Sequence, residues 1–539
     1  MSAHFKWYPA SEEVVVPWNA RYSFPSQSNK AVKITPRIPP KNGSVFSPGQ
    51  VMRLEFPAQG YVNPLNTTLE FDVTLYGPNA TTQAVRFQNN IQSIFNRVRL
   101  LYGATPLEDM INYNVIVRSL TEWTATNQHM TMDQTSIAEG IGGVAVGFDS
   151  LGFPGLVNVR QRYIQGNSVS TGTGVAFTSG ASLGQVPCAA NGAIPAGLPV
   201  PASGVPAQAL AVTRRYQINF ALGLFTQDKL IPTKFMASQL AIEITLEQAA
   251  ACIYAPSITV PLATPTYGVG NVNLIPEIVE FDASYDSMFL AGLRDGGVPL
   301  KFSSWHTFIF SSASAANVNL LVQERSRSVK ALFAVQRRSQ ASTGVDNGAT
   351  FFDTASLCDS SLQNYQFRIG GRYFPAAPVQ CSAGVGSAFT NGGAEAYVEL
   401  SKALNIVGDY RLSSSCNTQK WALQGTISGF LQEYDYSFKY LFPDPATGRS
   451  VTANSELAAN SFAGDWGSQC FAMAVDLETS NGIEISGLNA EEQSDIALIA
   501  NWAKPQVTGN ANTPTSLEVY SYYDAMIVLR ENNVLELIQ

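Results

Sequence analysis

Apolar and polar residues alternate most cleanly between Tyr216 and Glu247. Tyr216, Ile218, Phe220, Leu222 and Leu224 fall on one side, with Gln217, Asn219, Ala221 and Gly223 on the other. A polar link, Thr226 to Lys229, leads to Pro232, and alternation resumes with Leu240, Ile242, Ile244 and Leu246 against Ala241, Glu243, Thr245 and Glu247. Side chains on a strand point alternately to opposite faces, so each run predicts a half-buried strand. Two such strands need further strands or a second sheet to cover their apolar face.

The same pattern recurs along the chain. Strands are predicted at Val51–Phe56, at Thr68–Tyr76 up to the turn cluster Gly77-Pro78-Asn79, and at Asn96–Tyr102, which Gly103 ends. After Pro106, Leu107, Met110, Ile111, Val115 and Leu120 fit a short amphipathic helix headed by Glu108 and Asp109. Further strands are predicted at Trp305–Phe310, Val318–Gln323, Ser328–Gln336, Tyr365–Ile369, Phe471–Leu477 and Leu517–Leu529, with short helices at Ala394–Leu404 and after Asn489. The order of strand, glycine turn, proline and short helix occurs in both halves, at Asn96–Leu120 and again at Tyr365–Leu404. Many short strands, few helices and two similar halves predict an all-β chain of two tandem β-sandwiches.

Composition divides the chain. Residues 1–45 lack periodicity and read as an N-terminal arm; between Met1 and Lys41, six basic residues face Glu12 and Glu13, a local charge of +4. The arm is open to three readings: contact with a neighbouring copy, with a lipid surface, or with packaged nucleic acid. The first sandwich is expected over 46–255, with a Gly/Ser/Ala-rich, almost uncharged insertion at about 165–213. A proline-containing linker follows at 256–273, and the second sandwich at 274–539.

With 539 residues, two domains are the natural reading. Charged residues make up only 14% against 45% hydrophobic, which suits extensive sheet and self-contact rather than disorder. A net charge of -8 argues against a general nucleic-acid coat. The start of the chain has no apolar signal region, and no run of about 20 apolar residues spans a membrane. The chain therefore reads as made in the cytosol.

Candidate chemistry is sparse. His4, His129 and His306 are far apart, and His306, between Trp305 and Thr307, reads as a sheet histidine. Cys188, Cys252, Cys358, Cys381, Cys416 and Cys470 form no metal knuckle; the even count leaves disulfides open, and in a chain this long scattered reduced thiols are the preferred reading. Gly180-Ala181-Ser182-Leu183-Gly184 matches the nucleophile-elbow pattern but lacks the strand, helix and later histidine base that the chemistry needs. Glu491, Glu492 and Asp495 read as helix-capping or solvated acids, and the sequons at Asn42, Asn66 and Asn79 as unmodified. No catalytic, cofactor or metal residues are assigned, and no enzyme is expected.

Four stretches carry a resemblance. Ser93–Gly103 followed by Pro106–Asp109 resembles the strand-and-helix segment of the first jelly roll in double jelly-roll major capsid proteins. Phe220–Phe225, with Leu230–Pro232 and Gln239–Ile244, resembles the last strands of that jelly roll. Tyr365–Gly370 with Tyr373–Pro375, and the ending Tyr522–Arg530, resemble second-domain segments of polinton-like virus and virophage capsid proteins and, more distantly, those of large nucleocytoplasmic DNA viruses. The resemblance implies two side-by-side jelly rolls and a structural role: homotrimeric pseudo-hexagonal capsomers in an icosahedral shell around double-stranded DNA. It implies a virion location, with assembly in the host cytoplasm or nucleus. The expected partners are the chain itself, neighbouring capsomers, and minor or penton capsid proteins. An internal membrane or the genome could meet the N-terminal arm, and no small-molecule substrate is implied. The insertion is then a candidate outward tower and the arm a candidate inner-face element. Two other roles stay open: an adhesive or carbohydrate-binding fibre or spike, or a minor capsid protein. A secreted hydrolase would need paired carboxylates in a cleft, and none is recognisable.

Overall fold

The computed structural model describes residues 30–77, 84–87, 91–124, 144–145, 159–160, 168–170, 210–254, 266–294, 296–311, 317–338, 358–359, 362–381, 393–406, 466–467, 471–478, 486–491, 495–502, 514–530 and 535–538. The first half contains eight principal strands. They are β1 (Ala31–Ile34), β2 (Val51–Glu55), β3 (Tyr61–Gly77), β4 (Phe95–Tyr102), β5 (Thr105–Ile111), β6 (Leu210–Asn219), β7 (Leu240–Leu246) and β8 (Thr266–Phe281). Helix α1 (Tyr113–Thr124) follows β5, and the single turn α2 (Gly223–Thr226) follows β6. The strands form two antiparallel sheets, in the orders β1-β8-β3-β6 and β2-β7-β4-β5.

Helix α3 (Ala283–Arg294) carries the chain into the second half. There the strands are β9 (Val298–Ser311), β10 (Asn317–Leu321), β11 (Val329–Arg338), β12 (Leu362–Ile369), β13 (Arg372–Gln380), β14 (Met473–Asp476), β15 (Ile496–Trp502) and β16 (Pro514–Leu529). Helix α4 (Ala394–Ala403) follows β13, and β17 (Leu535–Ile538) adds a hairpin to β16. The sheet orders are β9-β16-β11-β14 and β10-β15-β12-β13. Each of β9–β16 thus occupies the place of the strand eight earlier. Eight antiparallel strands in two facing sheets with this order form a jelly roll, so the chain is two jelly rolls in tandem.

The alternation explains the sheets. Met52 and Leu54, Leu69, Phe71 and Val73, Tyr216 and Ile218, and Ile242 and Ile244 are all buried. Phe71 meets Phe95 at 5.6 Å and Tyr216 at 6.0 Å, joining the two sheets of the first sandwich. In the second, Tyr365, Phe367 and Leu498 are buried, and the Tyr365 hydroxyl donates across the sandwich to the Ala474 carbonyl at 3.1 Å. One apolar cluster runs through both sandwiches.

Several boundaries differ from those expected. Thr266–Asn273, expected as linker, is the first half of β8, which pairs with β3; the first sandwich therefore runs to Phe281. Pro256, Pro261, Pro265 and Gly268 suggested a linker, but Gly268 lies within β8 opposite Thr74, and the strand takes up its irregularities as register shifts at Gly270/Asn273 and Ile275/Glu277. Ala31–Ile34, expected within the arm, is the edge strand β1 beside β8. Leu210–Thr213, expected in the insertion, opens β6, and Ser168–Ser170 pairs with Ala84–Arg86. The rest of the insertion and residues 1–29 of the arm lie outside the described residues. Thr105–Ile111 is a strand, not a helix start, and the helix begins only at Tyr113. Glu491 sits in a turn rather than a helix, paired with Arg327 at 2.7 Å.

Removing the ring of Phe71 empties a closed core site, so Phe71→Ala is expected to cost roughly 3–5 kcal/mol. That corresponds to a fall of about 10 °C in the thermal unfolding midpoint. Val32→Ala, at a residue 60% exposed, is expected to stay within about 0.5 kcal/mol of the parent in the same scan.

Candidate assembly surface

The two sandwiches meet through β5 of the first and β9 of the second. Glu108, in the middle of β5, is 1% exposed. Its carboxylate accepts hydrogen bonds from the Gly223 and Leu224 backbone amides, each at 2.8 Å, and from the Ser304 hydroxyl of β9 at 2.7 Å. A buried carboxylate is tolerated only where donors replace water, and these three come from both sides of the joint. Burial nevertheless pushes the Glu108 pKa above its ordinary value, with the three hydrogen bonds opposing it. A raised folded-state pKa favours proton uptake in the folded protein. Stability carried by this group is therefore greatest in acid and declines as pH rises through the folded value.

Thr307 of β9 donates to the Ile111 carbonyl at 2.8 Å, a second tie across the joint. Gly223 is required by closeness: a Cβ there would lie 2.0 Å from the Ser303 carbonyl oxygen. Helix α1 lies over the outer face of the β9-β16-β11-β14 sheet. Its Trp123 stacks on Phe333 at 5.5 Å, Phe333 meets Trp305 at 5.4 Å, and Trp305 meets Tyr522 at 4.6 Å. Arg337 and Glu518, both buried, pair at 2.7 Å, and the Tyr520 hydroxyl donates to the same carboxylate. A cavity of about 510 Å³ remains beside this layer, lined in part by Leu120, Gly223, Lys330 and Tyr522. Lys330 is held there by Glu478 at 3.1 Å and Asp524 at 3.4 Å.

The equivalent face of the first sandwich is different. On the β1-β8-β3-β6 sheet, Arg37 pairs with Glu70 at 3.1 Å and Arg215 with Asp72 at 2.7 Å, while Asn271 donates to Asp72 at 2.8 Å. The arginines are more than half exposed, so these pairs shape the surface rather than stabilise the fold much.

Among the sheet edges, which also include β2, β6, β10 and β14, two are the counterparts of the joint strands β9 and β5. One is β1, where Val32 is exposed. The other is β13, where Tyr373 is 48% exposed and Arg372, Ala376, Ala377 and Pro378 are exposed beside it. Pro375 and Pro378 have no N–H, so this edge is poorly suited to extending a hydrogen-bonded ladder. The pattern is complementary: β5 and β9 are covered by each other, while their counterparts β13 and β1 are free.

The residues singled out by sequence fall as follows. His306 lies on β9, stacked on Tyr523 at 4.0 Å, with Nδ1 3.2 Å from the buried Glu324 carboxylate. Cys252 and Cys381 are buried thiols, and burial pushes Cys381 upward. Asn42 donates to the Val51 carbonyl at 2.6 Å and accepts from the Arg53 amide at 3.0 Å, while Asn66 donates to Glu277 at 3.0 Å. His4, His129, Asn79 and Ser182 lie outside the described residues. Among the described residues no cluster of His, Cys, Asp or Glu could hold a metal, and no helix is long and apolar enough to cross a membrane. Glu108 was missed as a joint residue because both faces of its strand are covered, which erases the alternation.

Gly223→Ala is expected to destabilise by at least the upper end of the ~1–3 kcal/mol range for overpacking, because the obstacle is backbone; calorimetry checks it. Burial alone would raise the Glu324 carboxyl, but the His306 hydrogen bond and charge, aided by Ser326, hold it down at about 2. A depressed folded-state pKa gives stability that is present above the ordinary 4.5 and lost as pH falls toward about 2. Glu324→Gln is expected to flatten the stability–pH curve in that window, measured by denaturant titration.

No family model matches the sequence, and no curated protein matches it. Among solved structures, the fold is similar to a chain of the Sputnik virophage at 11% identity and TM-score 0.48, covering 100% of this chain and 93% of that one. It is similar to the mavirus major capsid protein at 9% identity and TM-score 0.45, covering 100% and 94%. It is also similar to the Faustovirus major capsid protein at 8% identity and TM-score 0.46, covering 96% and 93%. At such identities and scores the likeness is one of general shape. The strand pairings carry the assignment by themselves: this chain is a double jelly roll.

Proposed function

We propose that this chain is a major capsid protein, three copies of which close into a pseudo-hexagonal capsomer of an icosahedral shell around double-stranded DNA. The observation that carries the reading is the unequal use of equivalent edges. Within one chain, β5 of the first sandwich packs on β9 of the second. Their counterparts β13 and β1 are sheet edges that carry exposed Tyr373 and Val32. If β13 of one copy meets β1 of the next as β5 meets β9, the contact is heterologous and repeats around an axis. Each chain contributes two units, so six units close with three copies.

The role is structural rather than enzymatic on this reading, and the principal partner is the chain itself. Minor or penton proteins would fill positions that sixfold units cannot. The sparse charge supports it as well, since weakly polar surface suits lateral contact.

Light scattering after size exclusion is expected to give three times the 58.0 kDa chain mass, about 174 kDa, with a hexagonal outline in electron micrographs. Tyr373→Asp places a charge on the open β13 edge and is expected to weaken association by about tenfold or more while leaving the thermal midpoint of the monomer unchanged. A twofold species, or a monomer that binds glycans, would replace this reading.

A further inference from the structure

The cavity of about 510 Å³ beside the aromatic layer is walled by both sandwiches. The first contributes Leu120 of α1 and Thr226 of α2, and the second contributes Ser303, Lys330 and Glu478 together with the end of α4. Small-molecule sites are commonly about 300–1,000 Å³ and favour the junctions between domains.

The hydrogen-bonding groups of this cavity are lopsided. The Thr226 hydroxyl gives its proton to the Gly223 carbonyl at 2.9 Å, and the Ser303 hydroxyl gives its own to Asp524 at 2.7 Å. A hydroxyl has one proton, so what either oxygen offers a ligand is a lone pair. The Glu478 carboxylate, 12% exposed, accepts and does not donate. Its partner Lys330 is already engaged: the ammonium lies 3.1 Å from Glu478, 3.4 Å from Asp524 and 5.6 Å from the centre of the Tyr522 ring. One ammonium against two carboxylates leaves this group with a net charge of -1. Burial alone would lower the Lys330 pKa, but Asp524, Tyr522 and Glu478 raise it above the ordinary lysine value, so the surroundings favour positive charge.

The end of α4 acts in the same direction. Ala403, Leu404 and Asn405 line the cavity at the C-terminus of this helix, where aligned peptide dipoles leave partial negative charge. The rest of the wall is largely hydrocarbon, from Leu120, Ala221 and Leu404 and from the rings of Trp305 and Phe333.

We propose that this cavity binds a free aliphatic amine, with a short diamine as the fitting class. The ammonium N–H groups donate to Glu478 and to the hydroxyl oxygens of Ser303 and Thr226, while the methylenes lie along Leu120 and Leu404. An anion would reach Lys330 only by displacing it from two carboxylates, and an alcohol would leave the negative field unanswered. Because the walls come from both sandwiches, the occupant ties them together. This goes beyond the capsid reading and does not depend on it.

The test is isothermal titration of the full chain with 1,4-diaminobutane, which is expected to fill one site per chain. Hexylamine is expected to bind there too, and hexan-1-ol and hexanoate at least about tenfold more weakly, since they lack the charged donor. Saturating diamine is expected to raise the thermal unfolding midpoint by about 3 °C through mass action on the folded state. Glu478→Gln is expected to weaken diamine binding by about tenfold or more. Thr226→Val, at an exposed position, serves if that variant does not fold, with an expected loss of about threefold. Hexanoate or hexan-1-ol binding as tightly as the amines overturns the proposal. So does the absence of amine binding, or binding that neither substitution weakens. Tighter binding of Nα-acetyl-lysine methylamide than of the diamine would assign the cavity to a lysine side chain of another protein, and the free-amine site would fall.

Discussion

A single buried carboxylate organises the meeting of the two sandwiches. Glu108 has no cation beside it in its hydrogen-bonding set; it is met by two backbone amides from α2 and one hydroxyl from β9. Such a group is costly to bury and costlier to strand, so the three donors and the acceptor specify one another's positions. The α2 turn must approach β9 closely enough to present its amides, and that approach leaves no room for a side chain at Gly223. The aromatic layer of Trp123, Phe333, Trp305 and Tyr522 then fills the neighbouring space. Apolar area supplies much of the attraction, and the carboxylate supplies the register.

The two halves share a topology but not a surface chemistry. Equivalent sheets carry an exposed network of arginine and carboxylate in the first sandwich and a covered aromatic layer in the second. This difference follows from the fusion. Within one chain the second sheet always finds α1 above it, so its outer face behaves as core. The first sheet meets water in the isolated chain and keeps polar groups satisfied by one another. Pseudo-equivalence is therefore a property of the backbone, and the side chains record which neighbour is permanent.

Much of the fold was legible in the alternation. Strands with one wet and one dry face, such as Tyr365–Ile369, were read in their places, and so was the α4 helix; the run from Tyr216, read as strand to Leu224, ends at Asn219, and Gly223–Thr226 forms α2 instead. Strands that depart from two-fold alternation were missed. Ile496–Trp502 is apolar through most of its length, because both of its faces are largely covered. Thr266–Phe281 carries glycines and a proline at its register shifts, and Arg372–Gln380 carries two prolines at an edge. The joint was hidden for a related reason: Leu107 and Glu108 are adjacent and both buried, which a free strand would not allow. Long-range burial by a second domain overrides a local pattern, and nothing within seven residues announces it.

The prolines of β13 have a wider bearing. An unprotected strand edge joins any other by backbone hydrogen bonds, with little regard for partner and little tendency to let go. Pro375 and Pro378 remove two donors from that ladder, and Pro106 removes one from the corresponding strand β5. If copies meet at the β13 edge as proposed, that contact is made by side chains, whose fit is specific to one orientation and whose strength is modest for each copy. Subunits joined this way can sample, reject and exchange positions before a closed particle traps them, whereas subunits joined by continuous sheet would set at the first encounter and grow into fibres.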